Sequence, residues 1–186
     1  MADIRPRSEL LDRVLSASAA LVAVSALLVS VYQAKIAREQ QKMSAWPYVQ
    51  LPHSNAHGSQ LLIQNVGLGP ALVRTVEVTV DGHPVRTWGA AFDAVAGADT
   101  TRPTHTTTTD VGIGTVLLPG STTEILRVES PPTFVARFDD AARRDRLVLK
   151  VCYCSLYQDC WTADSRTAEP SPTRACTADS TRAFGR

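Results

Sequence analysis

No charged residue falls between Arg13 and Lys35, so the 21 residues Val14–Ala34 form one uncharged run. Apolar residues do not alternate with polar ones there, which excludes a half-buried strand. The scattered serines do not gather into the polar face that a water-exposed helix needs. At a rise of 1.5 Å per residue the run is about 31 Å long, enough to cross the hydrocarbon core of a bilayer. Ala34–Met43 holds strong helix formers and no breaker. The helix is therefore expected to continue beyond the membrane and to end before Trp46-Pro47-Tyr48, because proline disfavours helix at the preceding residue.

Beyond Pro47 the period changes to that of strands. A first short strand is expected at Tyr48–Leu51, and a second at Gln60–Val66, closed by Gly67-Leu68-Gly69-Pro70. Ala71–Val80 alternates in its second half, with Val76, Val78 and Val80 on one face and Glu77 and Thr79 on the other. Asp81-Gly82 predicts a turn into a strand over Pro84–Trp88. Val111–Leu118 and Thr123–Glu129 flank Pro119-Gly120 and read as a hairpin. Phe134–Arg144 reads as a short helix after Pro131-Pro132. Arg146–Tyr157 is the strongest strand, followed by a tight turn and Cys160–Thr162. Gly89–Asp110 carries a short helix near Phe92 and then a threonine-rich segment that reads as a solvated loop. The fold class is mainly β: an N-terminal transmembrane helix, then an antiparallel immunoglobulin-like β-sandwich of seven to eight strands. The boundaries are a short cytoplasmic leader at 1–13, the span at 14–34, a juxtamembrane helix and linker at 35–45, the sandwich at 46–164 and a polar tail at 165–186.

A cleaved signal peptide is the main rival for the span. Its apolar region would be only about 7–15 residues, and a cut after Ala34 would put Tyr32 where a small residue is required. We read an uncleaved anchor. Ala19, Ala23, Ala26 and Ser30 share one helical face, where small side chains let a second helix approach closely. Trp46 and Tyr48 stand either at the headgroup level, as interfacial aromatics, or in the core of the first strand. Basic residues do not orient the span: Arg5, Arg7 and Arg13 on one side balance Lys35, Arg38 and Lys42 on the other.

The cysteines supply what the charges withhold. Cys152, Cys154, Cys160 and Cys176 all lie in the last 35 residues, with a spacing that matches no standard zinc pattern. An even, clustered set in an anchored domain points to disulfides, hence to export from an N-terminus held in the cytoplasm. Cys152 and Cys154 share the strand face of Lys150, opposite Leu147, Leu149, Val151 and Tyr153. If the turn is centred on Tyr157, Cys154 lies opposite Cys160; if it is Gln158-Asp159, Cys160 moves to the other face. Among three connectivities the favoured one is Cys154–Cys160 with Cys152–Cys176.

Net charge is +1, and the 16 arginines are dispersed, so there is no footprint for nucleic acid. No GxSxG, HExxH, Walker or GxGxxG motif is present. Pro70 replaces the amide donor that a phosphate loop after Gly67 would need. Asp139-Asp140 reads as a solvated helix end rather than an acid–base pair. No catalytic residue, metal or cofactor is assigned. His53, His57, His83 and His105 read as surface residues, although the cysteines with one histidine would suit a soft metal.

Three segments together carry a resemblance: Trp46-Pro47-Tyr48, Asn65-Val66-Gly67-Leu68-Gly69-Pro70-Ala71, and Cys152-Tyr-Cys-Ser-Leu-Tyr-Gln-Asp-Cys160-Trp161. Over roughly residues 10–162 the chain resembles uncharacterised bacterial proteins with one N-terminal span and a small β-rich domain. That resemblance implies the layout and a bacterial origin, and no activity; with the disulfides read from the cysteines, the expected location is the bacterial inner membrane with the domain in the periplasm. The expected function is a non-catalytic accessory subunit whose partners are the bilayer and the helices and extracytoplasmic surfaces of a larger complex, respiratory or photosynthetic. The alternative is an anchored metal-binding or thiol–disulfide protein using Cys152, Cys154 and Cys160. A third reading is a periplasmic ligand-binding module built on the 89–110 loop.

Overall fold

The computed structural model describes residues 5–99, 101–177 and 183–185, and side chains from Leu10 onward. Met1–Ile4 of the expected leader and residues 178–182 of the expected tail lie outside the described residues. The chain divides into two compact units, Met1–Met43 and Ser44–Arg186.

The first unit is one helix, α1 (Arg5–Ser44). It takes in residues 5–13 of the expected leader. Its portion Leu10–Ser44 is long and apolar enough to cross a membrane, and none of its most apolar stretch is buried within the protein. The helix stops where the sequence requires, short of Pro47.

The second unit is mainly β, with two antiparallel sheets. In chain order its elements are β1 (Val49–Gln50), β2 (His53–Ser54), β3 (Ser59–Asn65), β4 (Ala71–Val80), β5 (His83–Val85), α2 (Trp88–Ala96), β6 (His105–Thr108), β7 (Val116–Leu117), β8 (Thr122–Ser130), α3 (Pro132–Arg143), β9 (Leu147–Cys154), β10 (Cys160–Asp164) and β11 (Ser171–Thr173). One sheet has the order β1-β3-β8-β6, with β2 also on β3; the other runs β11-β10-β9-β4-β5, with β7 also on β4. Eleven strands are therefore seen among the described residues where seven or eight are expected. The extra ones are short pieces of two to four residues.

The core lies between the sheets. Leu61 and Ile63 of β3 and Leu126 and Val128 of β8 face Val76, Val78 and Val80 of β4 and Leu149, Val151 and Tyr153 of β9. A bulge on β4 explains why its alternation is clear only in the second half. Val73 pairs with Tyr153 and Thr75 with Cys152, so Arg74 is the extra residue. The inward set therefore shifts from Ala71 and Val73 to Val76, Val78 and Val80. The helices add an aromatic knot, in which Phe92 of α2 meets Phe134 and Phe138 of α3 at 5.8 and 6.0 Å. Phe134, Phe138 and Ala141 follow helical spacing and are fully buried.

Three sequence expectations are corrected. Val111–Leu118 and Thr123–Glu129 are not a hairpin, because β7 joins β4 while β8 joins β3. Pro119-Gly120 instead carries the chain from one sheet to the other. The threonine segment is not a solvated loop throughout: His105–Thr108 forms β6 on the edge of β8, with all four residues exposed. The strand expected over Pro84–Trp88 ends at Val85, because the Thr87 hydroxyl accepts a bond from the Ala90 amide and starts α2.

Asn65 ties the start of this unit to the rest. Its carboxamide nitrogen donates to the Gly69 and Leu117 carbonyls at 2.8 and 3.0 Å. Its oxygen accepts from the Tyr48 and Gly67 amides at 3.2 and 3.1 Å. Gly67 and Gly69 permit the close approach that follows: a Cβ on Gly67 would lie 2.3 Å from the Tyr48 nitrogen, and one on Gly69 1.9 Å from the Ala45 oxygen. Asn65→Ala strands two buried and two part-buried backbone groups at once and is expected to destabilise the domain by about 2–4 kcal/mol. Denaturant unfolding of the full chain in detergent, followed by tryptophan fluorescence, checks this; an unchanged midpoint would remove Asn65 from its central place.

Candidate functional site

The three sequence segments that carry the resemblance converge at one end of the β unit. The Trp46 carbonyl accepts from the Leu68 and Gly69 amides at 2.9 and 3.2 Å, and the Tyr48 carbonyl from Val66 at 2.8 Å. The Tyr153 hydroxyl accepts from the Val49 amide at 3.1 Å. An aromatic ladder joins the same pieces: Tyr48 to Trp46 at 5.3 Å, Trp46 to Trp161 at 6.4 Å and Trp161 to Tyr153 at 6.0 Å. Burial pushes the Tyr153 phenol up to about 12, so it stays neutral and serves as a fixed polar post in the core. Trp46 is 43% exposed and lies outside any strand, whereas Tyr48 is half-buried just before β1.

The cysteines sit beside this ladder. Cys154 stands directly opposite Cys160 in the β9–β10 pairing. They are joined at 2.07 Å, and Cys152 is joined to Cys176 at 2.06 Å. No cysteine is free among the described residues. The two bridges touch, since the Sγ atoms of Cys154 and Cys176 are 3.8 Å apart. Cys154, Cys160 and Cys176 thus bring three sulfurs within 4.8 Å of one another. All four lie on the outer face of the β9 sheet, yet Cys152, Cys154 and Cys160 are buried, because the tail folds over them. This tail was expected to be a polar extension; its residues Ser171–Thr173 form β11 on β10 instead. Beneath it lies an open groove of about 170 Å³, lined by Thr75, Glu77, Lys150 and Thr162.

A serine, a histidine and an aspartate also meet, which the sequence does not disclose. His53 Nε2 is 2.9 Å from the Ser59 hydroxyl and 3.3 Å from Asp139 Oδ1. Asp139 is 7% exposed rather than solvated, and its other oxygen pairs with Arg143 one turn along α3. Only Asp140, paired with Arg144 at 2.8 Å, sits as a surface helix charge. The phase of α3 carried the signal: Asp139 follows Phe138 onto the buried side. The trio lacks the geometry of a nucleophile relay. Both partners engage the same ring nitrogen, where a relay needs opposite ones, and Ser59 is fully buried. The small-residue face of α1 is exposed at Ala19, Ala23, Ala26 and Ser30, and it belongs to the other unit.

Three measurements follow. Unreduced protein, denatured and treated with a thiol reagent, is expected to show no free thiol, and four after reduction; any thiol before reduction contradicts the pairing. Removing the longer bridge with Cys152→Ser and Cys176→Ser is expected to cost about 3 kcal/mol, from the loop it closes. His53 is lowered from its ordinary value near 6.5, chiefly by burial; Asp139 opposes that shift and Arg143 adds to it. A base with a lowered folded value holds fewer protons than in the unfolded chain, so stability is full above about 6.5 and falls as the pH drops below it. Thermal unfolding between pH 7.5 and 5.5 is expected to show that slope, and His53→Gln to flatten it; equal slopes would acquit His53.

No curated protein and no solved structure matches this chain. Residues 14–165 match the family model described as a domain of unknown function, DUF8453, which covers the apolar run of α1, the ladder, both segments around Asn65 and three of the four cysteines. The chain belongs to the DUF8453 family.

Proposed function

We propose that this protein is a non-catalytic, membrane-anchored accessory subunit, whose span and exported β domain dock on and stabilise a larger bacterial membrane complex. The observation that carries the reading is the state of α1. Its apolar stretch has no cover within the chain. Each of the four serines in the run Val14–Ala34, Ser16, Ser18, Ser25 and Ser30, turns its hydroxyl back onto a carbonyl of the same helix at 2.7–2.8 Å. Such a run offers lipid no unsatisfied serine hydroxyl, and its Ala19/Ala23/Ala26/Ser30 face is smooth enough for close helix packing. The two disulfides support an oxidising compartment, hence a periplasmic domain and an N-terminus in the cytoplasm of an inner-membrane protein. Two antiparallel sheets facing across one core support the immunoglobulin-like form of the sandwich.

One observation favours a second reading, an anchored thiol–disulfide or metal-binding protein: the three sulfurs of Cys154, Cys160 and Cys176 lie close enough to exchange partners or, once reduced, to share one soft ion. Stoichiometric zinc or copper in the purified protein would favour it.

Purification of the full chain in mild detergent tests the first reading. Wild-type protein is expected to elute in a complex larger than itself, and Ala23→Leu with Ala26→Leu to weaken that association. Elution of the wild type as a lone monomer would overturn it.

A further inference from the structure

β4 is paired along most of its length on one side and only in pieces on the other. β9 pairs with it from Leu72 to Val80. On the opposite side β7 takes Ala71 and Leu72, and β5 takes Val78 to Val80. The Thr115 carbonyl and the Gly114 amide bond both backbone groups of Val73, which leaves a notch at 74–77 that no described strand fills. The chain's own C-terminal residues enter it. The Phe184 amide donates to the Val76 carbonyl at 2.9 Å, and the Gly185 amide to the Arg86 carbonyl, just past β5, at 3.0 Å. Ala183 is buried, and the Phe184 ring meets Trp88 at 4.7 Å.

The tail does not fill its site. An open cavity of about 190 Å³ remains beside Phe184, walled by Val76, Trp88, Val111 and Ile125. A cavity of about 150 Å³ holds a benzene ring, so a larger aromatic group has room there. The walls and the occupant also come from different parts of the chain. Every one of these wall residues lies within 14–165, the part that the family model matches, whereas Cys176 and Phe184 lie beyond it. The slot is built by the matched domain, and its occupant is added from outside. That occupant is on a tether. Thr75, next to Val76, pairs with Cys152, and Cys152 holds Cys176 by a disulfide. Phe184 follows Cys176 by only eight positions. So short a tether holds a ligand at an effective concentration in the millimolar range, and a weak fit is then enough to seat the tail.

We propose that this notch is a docking slot for an extended segment of a partner protein that reads small residue, aromatic residue, glycine, and that Ala183-Phe184-Gly185 is a tethered occupant competing for it. A segment laid along a sheet edge gains affinity from main-chain bonds and specificity from a side-chain pocket, and the notch offers both. The tail shows the chemistry that fits. The residue before the aromatic is small, because Ala183 is enclosed. The aromatic ring enters the Trp88 pocket while its own amide bonds Val76. Glycine follows because φ there is +80°, in the left-handed region that other residues enter at a cost. The slot goes beyond the accessory-subunit reading and does not depend on it.

Peptide binding to the full chain in mild detergent tests the proposal. The probe is a fluorescent peptide of residues 181–186, Thr-Arg-Ala-Phe-Gly-Arg, followed by its anisotropy. Phe184→Ser unseats the tail and leaves the walls intact. Ala183→Asp unseats it by a second route, and the absence of free thiols verifies the fold of both variants. Each is expected to bind the peptide about tenfold or more tightly than the wild type, whose tethered tail competes. Tryptophan in place of the peptide's phenylalanine is expected to bind at least as tightly, and serine there to abolish binding. No binding to either variant, equal binding to variant and wild type, or equal binding of the serine peptide overturns the proposal. Capture of a wild-type copy by Phe184→Ser, seen as a doubled mass, overturns the partner assignment in favour of tail exchange between copies.

Discussion

The carboxamide of Asn65 serves four backbone groups at once, and the end of the β unit where the chain enters is organised around it. It reaches Tyr48 ahead of β1, Gly67 and Gly69 in the loop before β4, and Leu117 in β7. Its own backbone adds Ser121 and Gly120, at 3.0 and 2.8 Å. One side chain therefore joins both sheets and the segment that follows α1. The carboxamide supplies both donors and acceptor from one short side chain. Aspartate lacks the two donors, and an apolar residue lacks all four contacts. The glycines are bound to the same requirement, because Ala45–Tyr48 lies where their side chains would be.

How much of this was legible depends on whether the signal was local. β4 was readable across its full length because six of its ten residues are β-branched, and its second half alternates. The first half looked irregular for a physical reason, the extra Arg74 that reverses which face points inward. A bulge inserts no distinctive residue, so alternation breaks without announcing why. β6 was missed for the opposite reason: an edge strand exposed on both faces shows no period at all. Pro119-Gly120 looked like a hairpin turn, and it is a turn. That it links different sheets is decided by Asn65, more than fifty residues earlier.

The candidate site divides along the same line. The face shared by Cys152 and Cys154 followed from strand geometry, and the register opposite Cys160 rested on where a short turn was centred. The structure centres it so that Ser155 accepts from Gln158 and pairs with Asp159 across the turn. The His53–Ser59–Asp139 contact had no such handle, since it joins β2, β3 and α3 through packing alone. Its resemblance to a catalytic set is a matter of composition. Geometry gives it a different part, that of a polar contact between β2, β3 and α3 in which burial lowers the proton affinity of the His53 ring.

The aromatic ladder and the disulfides act on the same object from two sides. Tyr153 fixes β1 to β9 from within the core, while its neighbours Cys152 and Cys154 bind the tail and β10 to the outer face. The strand β9 is thus anchored on both faces over three consecutive residues, and Trp161 carries that rigidity across to Trp46. Rigidity at this point has a physical use. A flexible end would lose conformational freedom on meeting a partner, and that loss weakens binding. An end already fixed by hydrogen bonds, stacked rings and covalent bridges has given up that freedom in folding.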